Sequence, residues 1–416
     1  MYNENFIDKE TEKKIISQKI EYLTNETKSN DFLNFIVSKI SNISAPQVQN
    51  RAIQIISLLI RKDIPYSLLK KYMFEGLPDD ILSLRPLIWK IALGYLSLNT
   101  DNWENDINKN RNLYNNYKQK YMFDFLYFDL NKAKNEDPLS KKTKKNIWNN
   151  LFNDQELYQT IHKDILRTRS NMNFVSMPNN KNNISSEIII EKAINKKNQI
   201  NIKNSLLNNN IDTFETNADV MNRILFIYAK LHNDVCYIQG MNDLLAPIYY
   251  CFSNDNSPKF KNYLEEDSFI IFEKLMNIIK DIFIRTKDNE PEGINTKFKN
   301  INTLLQIVDN ELFLHLKKNS VKIEYYAFKW ITLFFTQDFE MPDVLRLWDS
   351  ILCEPDIFEF LDLLVLSPLI IKKKSLMKEN MSGILMILQN FEGIKVFNLI
   401  QTAVKIRNYL NDKCQF

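Results

Sequence analysis

Glycine is scarce in this chain, with six glycines among 416 residues. Tight β-hairpin turns place residues at positive φ, a conformation that glycine adopts far more readily than other residues do. A fold built from many hairpins would need more glycines than the chain contains. The sequence therefore predicts an all-α protein. No glycine lies in a GxGxxG or GxxxxGK[ST] pattern, so we expect no nucleotide-binding loop of either kind.

Charged residues are nearly balanced, with 54 Lys and Arg against 51 Asp and Glu and a formal net charge of +3. This balance argues against a nucleic-acid-binding protein that relies on bulk positive charge. The four cysteines form no CxxC pair, and the three histidines are scattered along the chain. We therefore expect no metal site, no disulfide framework and no hydrolase triad. Reduced thiols are typical of a cytoplasmic protein.

Neither the N-terminus nor the most apolar stretch of the chain has the pattern of a membrane segment. The first residues are charged and contain no apolar run, and residues 357–371 include Glu359, Asp362 and Pro368. We therefore expect neither a signal peptide nor a transmembrane helix.

Apolar residues recur every three or four positions through residues 9–74, which is typical of amphipathic helices. After Pro46, for example, one helical face would carry Ala52, Ile55, Ile56 and Leu59. Later in the chain, a helix with Pro342 at its first position would bury Val344, Leu347, Trp348 and Ile351.

A break between two helices and a polar segment divide the chain. Gly76 and Pro78 end one helix before another begins near Leu84. Residues 179–210 are rich in Asn and Lys, and such a segment buries too little apolar surface to offset its ordering entropy. The sequence predicts an N-terminal helical extension over residues 1–69 and a main domain over residues 70–410, interrupted by a mobile Asn/Lys-rich insertion at residues 179–210.

One candidate site segment spans residues 161–168. Its spacing places Ile161, Asp164 and Ile165 on one helical face, and Asp164 can pair with Arg167 three positions later. Periodicity alone favours an ordinary amphipathic turn with a surface ion pair.

The second candidate segment spans residues 237–247. Gln239 and Gly240 precede an apolar helix, so the Gln239 amide could project near a helix N-terminus while the glycine allows close backbone approach. A loop glutamine that bonds to nearby backbone explains the local pattern as well.

These two segments resemble the paired IxxDxxR and YxQ motifs of the TBC-domain Rab GTPase-activating proteins. Three further segments agree in order and spacing: Gly76-Leu77-Pro78 with Arg85-Pro86-x-x-Trp89, Tyr326-Ala327-Phe328-Lys329-Trp330, and residues 341–349 (MPDVLRLWD). Residues 223–231 and 239–242 look most like the member 13 subgroup of that family. The resemblance covers roughly residues 70–410.

The resemblance implies an all-helical TBC (Rab-GAP) domain that stimulates GTP hydrolysis by a Rab-type small GTPase in its GTP form, and so regulates vesicle trafficking. Arg167 would neutralise charge on the transferring phosphoryl group, and Gln239 would position the attacking water, both supplied in trans. Asp164 would orient Arg167 through a side-chain pair. Tyr237 and Gly240 would shape the turn that presents Gln239.

The same resemblance implies that GTP and Mg²⁺ are carried by the partner GTPase, so the chain would need no cofactor and no metal of its own. It would act as a catalytic activator and not as a nucleotide-binding hydrolase. The expected location is cytoplasmic, with peripheral association with endomembranes through the Rab, and no nucleic acid is expected as a partner.

Some alternatives stay open. Arg169 is a second candidate for the arginine that acts in trans, because the residues after Arg167 lack a proline that many relatives have. The chain could also be a non-catalytic adaptor that binds a Rab, or a helical trafficking scaffold without GTPase contact. We expect scaffold roles for Arg85, Trp89, Trp330, Trp348 and Asp349, whose bulk suits a core.

Overall fold

The structure is a computed structural model that describes residues 9–28, 30–126, 145–170, 172–179, 215–284, 287–288, 290 and 293–414. Within these ranges the chain forms helices and turns, and strand-like pairing is confined to two isolated bridges, Asp63 with Asn99 and Pro178 with Thr216. The all-α prediction is confirmed. Apart from Asn179, the predicted insertion at residues 179–210 lies outside the described residues.

The α-helices are numbered here in chain order over the described residues: α1 Lys9–Glu26, α2 Asp31–Ile40, α3 Pro46–Leu59, α4 Tyr66–Glu75, α5 Leu84–Ala92, α6 Trp103–Leu126, α7 Lys145–Arg167, α8 Asn217–Leu231, α9 Met241–Ser253, α10 Leu264–Ile279, α11 Ile294–Val308, α12 Asn310–Lys318, α13 Glu324–Leu333, α14 Met341–Leu352, α15 Ile357–Leu376, α16 Met381–Gln389 and α17 Val396–Cys414. Short 3₁₀ turns occur at Thr100–Asn102, Asn173–Ser176 and Lys280–Phe283.

The chain forms two compact units. The first comprises Met1–Asn108, Asn254–Ser257 and Lys274–Phe416, and the second comprises Lys109–Ser253 and Pro258–Glu273. In the first unit, α1 packs on α2 and α3, and α15 packs along α17. In the second unit, α8 packs against α7 and α9. The predicted boundary between residues 1–69 and 70–410 stays a prediction.

Helix ends follow the local sequence signals. The helices α3 and α5 begin at Pro46 and Leu84, and α4 ends at Glu75, directly before Gly76. Gly76 has a φ of 102°, and a Cβ added there would lie 2.5 Å from Nε of Arg346. Both the backbone conformation and the close approach therefore require glycine at this helix end.

The helix α14 presents the predicted apolar face to the core of the first unit. Pro342 is its second residue and not its first, because the helix begins at Met341. Proline is compatible with either position, since the first N–H groups of a helix have no intrahelical acceptor. The four predicted face residues are fully buried: Val344, Leu347, Trp348 and Ile351.

A buried carboxylate on α14 joins two other parts of the first unit, the helix α5 and the turn after α4. Arg85 Nε lies 3.0 Å from Asp349 Oδ1, and Arg85 Nη2 lies 3.1 Å from Asp349 Oδ2. The Trp89 indole N–H donates to Oδ1 at 2.9 Å, and the Leu77 N–H donates to Oδ2 at 3.1 Å. The predicted scaffold roles are confirmed, since all five of these residues are buried: Arg85, Trp89, Trp330, Trp348 and Asp349.

A second buried carboxylate organises the second unit. Arg223 donates from Nε and Nη2 to the two oxygens of Glu265, at 2.8 and 2.7 Å. Lys118 Nζ lies 3.0 Å from Glu265 Oε2, and the Tyr114 hydroxyl donates to Oε1. Burial opposes the charged form, but these partners outweigh it and hold the pKa of Glu265 below its usual range. The network joins α6, α8 and α10 within the second unit.

Candidate functional site

Arg167 is the last residue of α7, and its side chain is exposed. Ile161 and Ile165, on the opposite side of the same helix, are fully buried. The helix ends where the Thr168 N–H bonds to the Asp164 carbonyl oxygen at 3.1 Å, and the next residue, Arg169, has a φ of 50°. Because the chain turns away directly after Arg167, this side chain lies at the exposed end of a helix with an anchored base.

Gln239 lies in the turn that precedes α9, and its side chain is also exposed. The predicted position near a helix N-terminus is confirmed, since α9 begins two residues later at Met241. Gly240 is buried with a φ of 106°, a conformation that suits glycine. No hydrogen bond joins the Gln239 amide to another described residue, so the structure does not show the locally bonded loop glutamine.

Tyr237 and Asp164 connect the two segments. The Tyr237 hydroxyl lies 2.9 Å from Asp164 Oδ2, although the two residues are 73 positions apart. Burial, and then the nearby Asp164 charge, raise the pKa of Tyr237 well above its usual value. The hydroxyl therefore stays protonated at neutral pH and can donate to Asp164 Oδ2.

The expected pairing of Asp164 with Arg167 is not found. No ion pair or hydrogen bond joins these two side chains in the part of the chain that the structure describes, and the Asp164 carboxylate accepts a hydrogen bond from Tyr237 instead. The physical reason is exposure. An ion pair with a solvent-exposed arginine contributes less than about 1 kcal/mol, whereas a partly buried hydroxyl–carboxylate bond is charge-assisted and shorter.

Asn242 is a site residue that the sequence analysis did not identify. Its side chain is 5% exposed, and Oδ1 accepts the Gly240 N–H at 3.0 Å. Its Nδ2 donates to Thr168 Oγ1 at 2.8 Å, which links residues 74 positions apart. The available signal was a polar amide near the start of an otherwise apolar helix, where Met241 and Leu244 are fully buried.

The site therefore consists of two exposed polar side chains on a hydrogen-bonded base. The guanidinium of Arg167 has five donors, and the Gln239 amide both donates and accepts. Neither side chain has a hydrogen bond to another residue that the structure describes. Such an arrangement can stabilise negative charge and orient a water molecule on a partner placed against it.

The described residues contain no group of three or more His, Cys, Asp and Glu side chains that could hold a metal ion. No helix within the same residues is both long and apolar enough to cross a bilayer.

Comparisons with known proteins agree on one family. The family model of the Rab-GTPase-TBC domain matches residues 141–377, more than half of the chain. TBC1 domain family member 13 from mouse and from human are each 28% identical to this chain over 82% of its length and 93% of theirs. The resemblance to the member 13 subgroup is confirmed.

A solved structure supports the same fold. The crystal structure of the Ypt/Rab-GAP domain of Gyp1p aligns with a TM-score of 0.63 at 20% identity, over 87% of this chain and 98% of that one. At this identity the likeness concerns the fold alone. The match to the family model agrees with the buried motif residues of both units and with the paired segments of Arg167 and Gln239. The chain belongs to the Rab-GTPase-TBC domain family.

Proposed function

We propose that this protein is a GTPase-activating protein that stimulates GTP hydrolysis by a Rab-type small GTPase in its GTP form, with Arg167 and Gln239 supplied in trans. The observation that carries the proposal is that an exposed arginine and an exposed glutamine lie on two segments joined by one partly buried and one buried hydrogen bond. Membership of the Rab-GTPase-TBC family supports a Rab as the partner.

Arg167 supplies the positive charge. Phosphoryl transfer builds negative charge on the bridging and γ-phosphate oxygens, and a cation placed there lowers the barrier. The guanidinium is planar and always charged, so it can contact two of these oxygens at once. An arginine supplied in this way typically accelerates hydrolysis about 10³- to 10⁵-fold.

Gln239 orients the attacking water. Its amide oxygen can accept a hydrogen bond from the water while its N–H₂ group donates one to the partner, so one side chain fixes both the position and the direction of attack. Gly240, directly after it, allows the sharp turn that presents the amide beside the start of α9.

The partner GTPase carries the remaining components. In this proposal the Rab binds the nucleotide and its Mg²⁺, and this chain contributes side chains only. The protein then acts in the cytoplasm and, through the Rab, at the surface of endomembranes, where it regulates vesicle trafficking.

Single-turnover GTP hydrolysis by a panel of purified Rabs tests the proposal. Wild type should stimulate at least one Rab, and Arg167→Ala should lower that rate at least ~10²-fold without unfolding the protein. Gln239→Ala should be strongly impaired while it still binds the GTP-loaded Rab. Arg169→Ala should keep most of the activity, because Arg169 is only partly exposed.

Two exposed residues of the first unit provide matched controls. Arg61→Ala and Gln401→Ala remove the same side chains from exposed positions and should leave the rate unchanged. Normal turnover with Arg167→Ala would contradict the proposal. Binding of GTP-loaded Rabs without any stimulation would indicate an adaptor, and absence of binding to every Rab would indicate a scaffold.

A further inference from the structure

The amide of Asn242 lies between the segment that carries Arg167 and the turn that carries Gln239. We propose that Asn242 and Thr168 form a positioning pair that holds these two segments in the relative geometry that catalysis requires. The inference rests on the proposed function, and it adds two residues that touch neither nucleotide nor water and act through Arg167 and Gln239.

The hydrogen bonds fix the orientation of the amide. Asn242 Oδ1 accepts from the Gly240 N–H at 3.0 Å and lies 3.2 Å from the Tyr237 hydroxyl. Because the Gly240 N–H can only donate, the oxygen must face it, and Nδ2 must face Thr168 Oγ1 at 2.8 Å. One planar group therefore contacts the backbone beside Gln239 and the residue that follows Arg167.

Thr168 is suited to receive this bond. Its hydroxyl donates to the Asp164 carbonyl oxygen at 3.0 Å and so has its lone pairs free for the Asn242 amide. Both Thr168 and Asn242 are buried, at 3% and 5% exposure. Leaving a buried donor without its acceptor costs more folding free energy than leaving an exposed one, so the Asn242–Thr168 bond is maintained.

Two bridges restrain the segments more than one would. The Tyr237–Asp164 bond joins the last turn of α7, and the Asn242–Thr168 bond joins the residue directly after that helix. Asp164 and Thr168 are four positions apart, which places both on the same helical face. A single bridge would allow rotation about its own axis, whereas two bridges oppose rotation as well as separation. Arg167 lies in the turn between them, so its backbone position is set relative to Gln239.

The first test separates the effect on rate from the effect on binding. Asn242→Ala and Thr168→Val should each lower the maximal rate of stimulated GTP hydrolysis by the Rab at least ~10-fold, because small misplacements of catalytic groups have large effects on rate. The Rab concentration at half-maximal rate should change less than ~2-fold. Thr168→Ser keeps the hydroxyl and should retain most of the rate.

The second test does not depend on activity. Hydrogen exchange measured by mass spectrometry should show faster exchange in the peptide that contains Gln239 when Thr168, 74 positions before Asn242, is changed to Val. Adding Thr168→Val to Asn242→Ala should change neither rate nor exchange further, because the first change already breaks the bond.

Thr332→Val is the matched control. Thr332 is also buried, and its hydroxyl donates to the carbonyl oxygen four residues earlier at 2.8 Å, as that of Thr168 does. It belongs to the first unit and should leave the rate and the Gln239 peptide unchanged.

The outcomes are distinguishable. If Thr168→Val leaves both the maximal rate and the exchange of the Gln239 peptide at wild-type values, the positioning pair is overturned while the proposed function stands. If wild type stimulates no Rab, the proposed function fails, and faster exchange in Thr168→Val still supports the coupling of the two segments. A rate loss in Thr168→Val that Thr168→Ser shares would also overturn the proposal, because the hydroxyl would then be irrelevant.

Discussion

Replacing Asp349 tests whether the buried carboxylate stabilises the first unit. Asp349 is inaccessible to solvent and accepts from the Arg85 guanidinium, the Trp89 indole and the Leu77 N–H, at 2.9 to 3.1 Å for the closest contact of each. Asp349→Ala leaves the buried Arg85 charge and two N–H groups without this acceptor. Breaking a buried ion pair by removing one partner costs about 3 to 5 kcal/mol of unfolding free energy.

Asp349→Asn separates the charge from the packing. The four N–H groups that face Asp349 are all donors, and an asparagine offers them one oxygen and one further donor. At least two of the bonds must then be lost, so we expect Asp349→Asn to be nearly as destabilising as Asp349→Ala, although its shape is retained.

Urea unfolding, monitored by tryptophan fluorescence, measures the loss of unfolding free energy. Four of the five tryptophans belong to the first unit, and Trp89 stacks on Trp348 at 5.8 Å between ring centroids. A loss of 3 to 5 kcal/mol lowers the midpoint by about 1 to 2 M at the usual urea slopes. Asp343→Ala removes an exposed carboxylate from the same helix and should change the free energy by less than about 1 kcal/mol. An Asp349→Asn protein within 1 kcal/mol of wild type would refute the reasoning.

Three further predictions concern the second unit. Arg167→Lys should fail to restore stimulated hydrolysis, because an ammonium cannot reproduce the planar fork; wild-type turnover would contradict this. Burial, and then the adjacent Glu265 charge, raise the pKa of Glu266 to about 7, so its contribution to stability is present below about pH 4.5 and is lost as pH rises through 7. Glu266→Gln should therefore raise the free energy of unfolding at pH 8 by up to about 3 kcal/mol and not at pH 4, as measured by urea unfolding. Replacing residues 181–213 by a short Gly-Ser linker should leave GTPase stimulation intact, because Pro178 and Thr216 are bridged directly; loss of stimulation in a folded protein would show that the segment contributes to activity.

The helices were predictable because their signals are local. Pro46, Gly76 and the face that begins at Val344 each mark a helix start, a helix end or a buried side through propensity and 3.6-residue periodicity alone. These signals need no knowledge of what packs against them. The exact position of Pro342 in its helix was missed by one residue, since the first two positions of a helix place similar demands on the backbone.

The partner of Asp164 was not predictable, because local spacing and tertiary structure point to different residues. A spacing of three positions places Arg167 on the same helical face as Asp164, whereas the observed partner is Tyr237, 73 positions away. Asn242 was missed for the same reason: nothing beside it in the sequence indicates that its amide meets Thr168. Only the folded chain brings these polar groups together, and only burial explains why they bond to one another and not to water.

The distribution of hydrogen bonds in the site separates the exposed pair that we propose acts on a partner from the buried pair that we propose positions it. Arg167 and Gln239 are exposed and have no hydrogen bond to a described residue, so replacing either removes almost no native contact and should leave the unfolding free energy nearly unchanged. Asn242 and Thr168 are buried and bonded to each other, so their loss should lower both stability and rate. Directional bonds suit this task better than apolar contacts would, because an apolar interface tolerates sliding, whereas a hydrogen bond of 2.8 Å weakens steeply when its geometry changes. A protein that acts as proposed, through two side chains more than seventy positions apart, needs that restraint between the segments that carry them.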